Sequence, residues 1–323
     1  MMVYVDGKMK VSVNRTVQPV IDEMLATQEA LEIRAHTLGN GATVIDCGVD
    51  VRGSYRAGAL YVQACLAGLA TTEILVESIG GIPFPFLHLT IQHPVIACLG
   101  SQKAGWIIKT PSYRAMASGP GRALSLQPKS TYRTIGYEDE SEEGVIALEA
   151  DTLPDVDTAR YIAEKCGIDP SGLTILVAPI RSLVGSVQIS GRIVTMVMHS
   201  LEEAGYDLSL IRHAAGSSPI APVKKDMMEA MGTTNDCNIY YGSVCITTEQ
   251  YDTIFETLPS QTSPDYGKPF FTLFRDAGND FLGIDSRLAF SPAEVTINDC
   301  TTGDVRHFGV RNSEVLLTSF GVQ

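Results

Sequence analysis

The sequence predicts an α/β (α+β) protein built from two domains with mixed sheets. Three observations carry that expectation. Apolar runs of strand length alternate with stretches of helical spacing along the chain. The 323 residues suffice for a large core and more naturally form two domains than one. Hydrophobic residues make up 45% and charged residues 19%, a globular balance. The expected division is a short extension over 1–10, a first domain over 11–170 and a second over 171–323. Nothing with linker composition marks the break.

The elements follow in order. Val17, Val20, Ile21, Met24, Leu25 and Leu31 recur at steps of three and four, which predicts a helix over 13–31 with Asn14 as its cap. A Gly-Asn-Gly turn at 39–41 leads into a strand over 42–47. A helix rich in small residues is expected over 54–69. Strands are expected over 73–76, 86–91 and 106–109, with a helix over 93–103 after a His-Pro turn. GYEDESEEG at 136–144 reads as a solvated acidic loop. A strand over 145–149 and a helix over 156–165 come next. That helix stops at Gly167 with Pro170 beyond it. A strand over 173–178 ends at Pro179, and a single helix is expected from about Ser182 to Ala204, with Gly205 as its stop.

Charge and cysteine usage narrow the class of function. The formal charge of −13 argues against a nucleic-acid binder, which needs a basic footprint. Seven cysteines lie at 47, 65, 98, 166, 237, 245 and 300, with no CxxC pair. They read as free thiols in a reducing cytosol. The first residues, MMVYVDGKMK, lack the apolar core of a signal peptide. No apolar run approaches a membrane span. A cytoplasmic location, without membrane or nucleic-acid partner, is therefore expected. None of the six histidines falls in a zinc pattern, and neither a GxSxG elbow nor a dinucleotide fingerprint is present. No metal site is expected.

Four places remain as candidate sites. On the expected helix over 182–204, Gln188, Arg192, Thr195, His199 and Glu202 are spaced four, three, four and three apart and share one face. That stripe is either the wet face of an amphipathic helix or the wall of a cleft. Gly185, Ser186, Ser190 and Gly191 would let a backbone or a flat ligand approach its start. In GSQKAGW at 100–106, Lys103 is either a cationic helix cap or a ligand contact. SGPGR at 118–122, with Ser118, is a turn whose amides could receive an anion. GTTNDC at 232–237 places Asn235 and Asp236 in a polar run before a strand-like segment. There they could read a heterocycle or simply make a turn.

Taken in order along the chain, longer motifs add a resemblance. They are SVN at 12–14, NGATVIDCGV at 40–49, HPVIACLGSQKAGW at 93–106, SGPGRAL at 118–124 and TYRTIGYEDE at 131–140. LVGSVQISGRIV at 183–194, PIAPV at 219–223, AMGTTNDCNIYYGSV at 230–244 and DYGKPF at 265–270 continue the series. The chain resembles the methenyltetrahydromethanopterin cyclohydrolase family from Ser12 to Phe320. The resemblance implies two α/β domains with a pterin cleft between them, and a homotrimer. It also implies a cytoplasmic one-carbon enzyme of methanogenesis and related pathways, with no metal or redox cofactor. The substrate would be a tetrahydromethanopterin derivative whose methenyl bridge is reversibly hydrolysed to a formyl group.

In that family the helix carries an arginine followed, after two apolar residues, by a glutamate, and these two act as the catalytic pair. Arg192 matches the arginine, and Thr195 stands where the glutamate would be. Substrate contacts are then expected from Ser186, Gln188, Lys103, Ser118, Asn235 and Asp236. Threonine holds water by hydrogen bonds but is no base near neutral pH. Losing a positioned acid–base group costs about a hundredfold to ten-thousandfold. Gln92 replaces the family's Asp before His-Pro. Arg114 and Arg181 add positive charge near expected ligand segments. Three readings follow: a working cyclohydrolase, a pterin-binding paralogue acting as carrier, sensor or regulator, and an enzyme of the same fold acting on another pterin-like or folate-like substrate.

Overall fold

A computed structural model describes residues 2–5, 8–278 and 283–322. Fourteen strands occur among them, in chain order β1 (Met2–Val5), β2 (Lys8–Val11), β3 (Arg34–Thr37), β4 (Thr43–Asp46), β5 (Ala70–Ile79), β6 (Ile82–Ile91) and β7 (Trp106–Lys109). Then come β8 (Arg114–Ser118), β9 (Gly144–Glu149), β10 (Leu173–Val177), β11 (Ile211–Pro219), β12 (Ser243–Thr248), β13 (Glu294–Asp299) and β14 (Val305–Gly309). The chain forms two compact units, and each holds a six-stranded mixed sheet. The α/β expectation therefore stands.

The units are not the consecutive segments expected from sequence. One comprises Met1–Thr71 and Ile96–Gly185, the other Thr72–Val95 and Ser186–Gln323. The reason is a pairing far along the chain. Strand β6 hydrogen-bonds antiparallel to β11, with Leu87 opposite Ser218, so 72–95 folds with the second half. Residues within the expected extension form the β1–β2 hairpin.

In the first unit the sheet order is β3-β4-β10-β9-β8-β7. The central strands β4, β10 and β9 run parallel. Their apolar runs are almost continuous because both faces are covered. Val145 and Ala147 pack with Leu60, Tyr61 and Met24 on one side, while Ile146 and Leu148 pack with Ala159 and Ile162 on the other. The expected first helix is broken into Val13–Thr16, Gln18–Ala26 and Gln28–Leu31. Ser12, not Asn14, precedes it. Asn14 is buried instead: its amide donates to Pro120 O (3.0 Å) and Asp139 Oδ2 (2.8 Å), and its Oδ1 accepts from Val145 N (3.3 Å).

The helix expected over 93–103 is a π-helix, Val95–Gln102. Its five-residue step shows in Lys103 N donating to Cys98 O at 2.6 Å. Arg122, fully buried, closes its end. Arg122 Nη1 donates to Leu99 O (3.3 Å) and Ser101 O (3.0 Å), and Tyr132 OH donates to Gly100 O (2.8 Å).

In the second unit the order is β14-β13-β12-β11-β6-β5. One face is apolar, with Leu87, Leu89, Ala214, Val244, Ile246, Val295 and Ile297 in register. The Ile193–Glu203 helix lies on it at Gly216, where a Cβ would come within 2.9 Å of the Ile193 and Val194 side chains. The other face carries His88, Thr90, Ala215, Ser217, Ser243, Cys245, Glu294 and Thr296. Polar contacts cross it: His88 Nε2 lies 2.6 Å from Glu77 Oε1, and Arg311 Nε lies 3.0 Å from Glu294 Oε1. Thr90 and Cys245 on that face are exposed.

Candidate active site

The site grows from the turn after β10. Pro179 ends the strand. Ser182 Oγ donates to Pro179 O (2.7 Å) and accepts from Gly185 N (3.0 Å), which starts the Leu183–Ser190 helix where the sequence places it. A Cβ on Gly185 would lie 2.0 Å from Pro179 O, so only glycine permits this close turn.

One feature departs from expectation. The segment is not one helix but two, Leu183–Ser190 and Ile193–Glu203, with Gly191 and Arg192 between them. Arg192 is the residue preceding the second helix, with φ −85° and ψ −3°. At the break Arg192 N bonds to Ile189 O, a three-residue step, at 3.0 Å. Ser190 Oγ bonds to Pro219 O (2.6 Å) and Ser186 O (3.2 Å), a side-chain competition that bends helices. Glycine at 191 weakens the helix further.

The polar stripe is not a wet face. Gln188 is 3% exposed and Thr195 5%, and Arg192 is half-buried. Gln188 Oε1 accepts from Arg192 Nε at 3.0 Å. The Glu202 side chain is 7% exposed. His199 meets the Phe290 ring edge-on at 4.8 Å, and the second helix ends at Gly205, φ +73°. Ser186, Gln188, Arg192 and Thr195 thus belong to one buried or half-buried segment whose geometry is set by the break.

The other expected contacts lie on other elements. In the first unit Lys103 is half-buried just past the π-helix, and Ser118 is 2% exposed at the end of β8. The SGPGR turn does not offer its amides to an anion. Gly119 N donates to Ser101 O, Gly121 N to Val145 O and Arg122 N to Gly119 O. In the second unit the 232–237 run is not a turn before a strand. It lies inside the helix Met227–Tyr241, because Asp226 caps that helix through Met228 N and Glu229 N.

Asn235 turns its amide back to Met231 O at 2.7 Å. Asp236 is 0% exposed and accepts from Phe270 N (2.9 Å) and Ser319 Oγ (2.5 Å). Burial pushes its carboxyl up to about 7, partly offset by those two donors. Asp236 therefore holds the core of this unit together and does not present a free carboxylate to a ligand. Sequence reasoning could not see this, because both donors come from segments far along the chain.

Nor did it foresee the roles of Ser190, Asn238 and Arg122. The only signal for Arg122 was an arginine in a small, apolar run without an acid beside it. Its partners are carbonyl oxygens, which no pattern of side chains reveals. Among the described residues, no group of three or more His, Cys, Asp or Glu side chains is arranged to hold a metal ion, and no helix is long and apolar enough to cross a membrane.

The fold and the segment together are those of a two-unit α/β protein with a half-buried arginine set at a helix break and a buried hydroxyl three residues on. The sequence pattern of the cyclohydrolase (MCH) family matches residues 12–320. The methenyltetrahydromethanopterin cyclohydrolase of Methanospirillum hungatei JF-1 is 47% identical over 313 residues, covering 96% of this chain and 99% of its own. Its counterpart in Methanocella arvoryzae is 47% identical over 314 residues, covering 96% and 98%. That of Methanocaldococcus jannaschii is 45% identical over 318 residues, again covering 96% and 98%. The chain belongs to the cyclohydrolase (MCH) family.

Proposed function

We propose that this protein is a cyclohydrolase acting on the methenyl bridge of a tetrahydromethanopterin carrier. The observation that supports the reading best is Arg192, half-buried and held through Nε by Gln188, within a chain of the family over 12–320. The substrate's amidinium-like carbon is already electrophilic. Water adds to it and loses a proton. One C–N bond then breaks, the departing nitrogen takes a proton, and the formyl group stays on the other nitrogen. The net products of methenyl cation and water are the formyl carrier and one proton.

Arg192 orients the reacting groups. The Thr195 hydroxyl holds the water, and the proton leaves to a base outside position 195. Because the carbon carries its own positive charge, the reaction needs neither metal nor redox cofactor. We place the reaction in cytoplasmic one-carbon metabolism, on a methanogenic or related route.

The test is spectroscopic loss of the methenyl chromophore with purified protein. Turnover well above the buffer rate is expected, unaffected by chelators. Turnover at the buffer rate would sink the reading. Thr195 in place of a carboxylate favours a second reading, a pterin-binding paralogue without appreciable hydrolysis. It predicts calorimetric binding of the methenyl carrier without turnover, and it fails if no binding heat appears.

We propose further that the chain works as a homotrimer. The polar face of the second sheet, where Thr90 and Cys245 are exposed, supplies a surface for self-association. Light scattering should give about three chain masses of 34.8 kDa, and a monomer mass would refute this.

A further inference from the structure

We infer that Asn238 is a positioning residue for Arg192: it keeps the 183–203 segment broken and so sets where the guanidinium stands. The inference rests on the role of Arg192 proposed above. The residues from 183 to 203 read as a continuous helix, and in an unbroken helix Ile189 O would accept from the amide four residues on, Ile193 N. Here Ile189 O accepts from Arg192 N at 3.0 Å, and its second bond comes from outside the segment, from Asn238 Nδ2 at 2.9 Å. Asn238 therefore supplies a donor that the continuous helix would have supplied itself.

The clamp is rigid on its own side. Asn238 is 0% exposed on the Met227–Tyr241 helix. Its backbone oxygen accepts from Gly242 N and Ala293 N, both at 3.1 Å. The second helix of the pair presses on the same place, since a Cβ on Gly242 would lie 2.3 Å from Ile193 Cδ1. Asn238 Oδ1 is buried and makes no hydrogen bond among the described residues. A buried acceptor left so is destabilising. A leucine of similar size would avoid that penalty, so what asparagine adds at this position is its donor, and the donor goes to the break. Gln188 Oε1 receives Arg192 Nε from within the segment, one residue before the carbonyl that Asn238 holds.

The decisive variant is Asn238→Asp, compared with wild type at alkaline pH, where the introduced carboxyl has lost its proton and keeps the size without the donor. The readout is the Arg192 Nε–H signal in ¹⁵N-correlated spectra, identified by its loss in Arg192→Lys. Wild type should show a slowly exchanging signal, and Asn238→Asp should shift it and speed its exchange. Turnover of the methenyl carrier should fall about tenfold to a hundredfold, more in kcat than in KM, as expected for a misplaced orienting group. If only binding is present in the parent, affinity is compared instead.

An Arg192 signal unchanged in Asn238→Asp would overturn the inference. A shifted signal with unchanged turnover and binding would overturn the role given to Arg192 and leave the positioning role intact. Should Asn238→Asp not fold, the wild type decides. Protected Asn238 amide protons, with scalar coupling to the Ile189 carbonyl carbon, support the clamp, and their absence removes it.

Discussion

Replacing Asp236 by asparagine should turn a core that weakens with rising pH into one that does not. The carboxyl is 0% exposed, forms no salt bridge among the described residues, and accepts from the Phe270 amide and the Ser319 hydroxyl. Burial dominates and moves it from an ordinary value of 3.8 to about 7. The unfolded chain therefore ionises near 3.8 and the native protein near 7. Between these values the native state keeps a proton that the unfolded state has lost. The stability linked to this group is thus fully present at the acid end. It declines as pH rises through the window, and the loss is complete above about 7. At about 1.4 kcal/mol per tenfold step in proton affinity, the full loss is about 4 kcal/mol.

Asparagine has nearly the same shape and can serve both partners. Its Oδ1 accepts from the Phe270 amide, and its Nδ2 donates to the Ser319 oxygen. It has nothing to ionise. The assay is thermal unfolding of both proteins from about pH 5 to about pH 8.5, following the transition of the second unit. The variant's melting temperature should approach the wild type's at the acid end and exceed it at the alkaline end. For a unit of this size the gap should widen by about 10 °C. A gap that stays constant across the range would refute the reasoning, because it would show that Asp236 titrates alike in both states.

The remaining predictions concern the site, the surface and the first unit. Thr195→Glu should raise hydrolysis about a hundredfold to ten-thousandfold, read in the chromophore assay; no change would mean that the proton route has been rebuilt elsewhere. Arg192→Lys loses the planar Nε donor to Gln188 and should cost at least about a hundredfold in turnover, with little change in melting temperature. Of the seven cysteines only Cys245 and Cys300 are exposed, so two thiols should react quickly with a disulfide reagent in native monomer. Protection of Cys245 on self-association would map the polar sheet face. Asn14→Ala should destabilise the first unit by about 2–5 kcal/mol in denaturant titration, since it strands the buried Val145 amide and Pro120 carbonyl.

Much of the fold was legible because local chemistry decides it. The strand at 106–109 and the helices capped by Ser54 and Asp155 follow from turn residues and periodicity beside them. What escaped was decided at long range. The β5–β6 hairpin belongs to the second unit because β11 lies 120 residues downstream of β6. The 232–237 run looks too polar for a buried helix, yet Thr233 and Thr234 return their hydroxyls to carbonyls one turn back, and Asp236 finds partners on two other segments. The π-helix at 95–102 has ordinary helical spacing in sequence. What supports its end is a buried Arg122 and Tyr132, whose partners are backbone oxygens. At the site, Arg192 and Thr195 stood out through helical spacing and took their expected roles from family motifs, whereas the break that positions them left no mark beyond a serine and a glycine.

That break changes what the spacing of three means. On one continuous helix, residues 192 and 195 would be ordinary neighbours on a face, each free to swing towards solvent. At the start of a new helix they become the residue before the first turn and the third residue within it, positions whose side chains and amides meet across the helix mouth. A carboxylate at the third position would find both a guanidinium and the positive end of the helix, and would be held ionised and oriented by them. A threonine at 195 keeps the place but gives those positive groups no permanent counter-charge at that position. Under the proposed function, the acid–base help a carboxylate would give must then come from another group, and restoring one at 195 while following turnover measures what its absence costs.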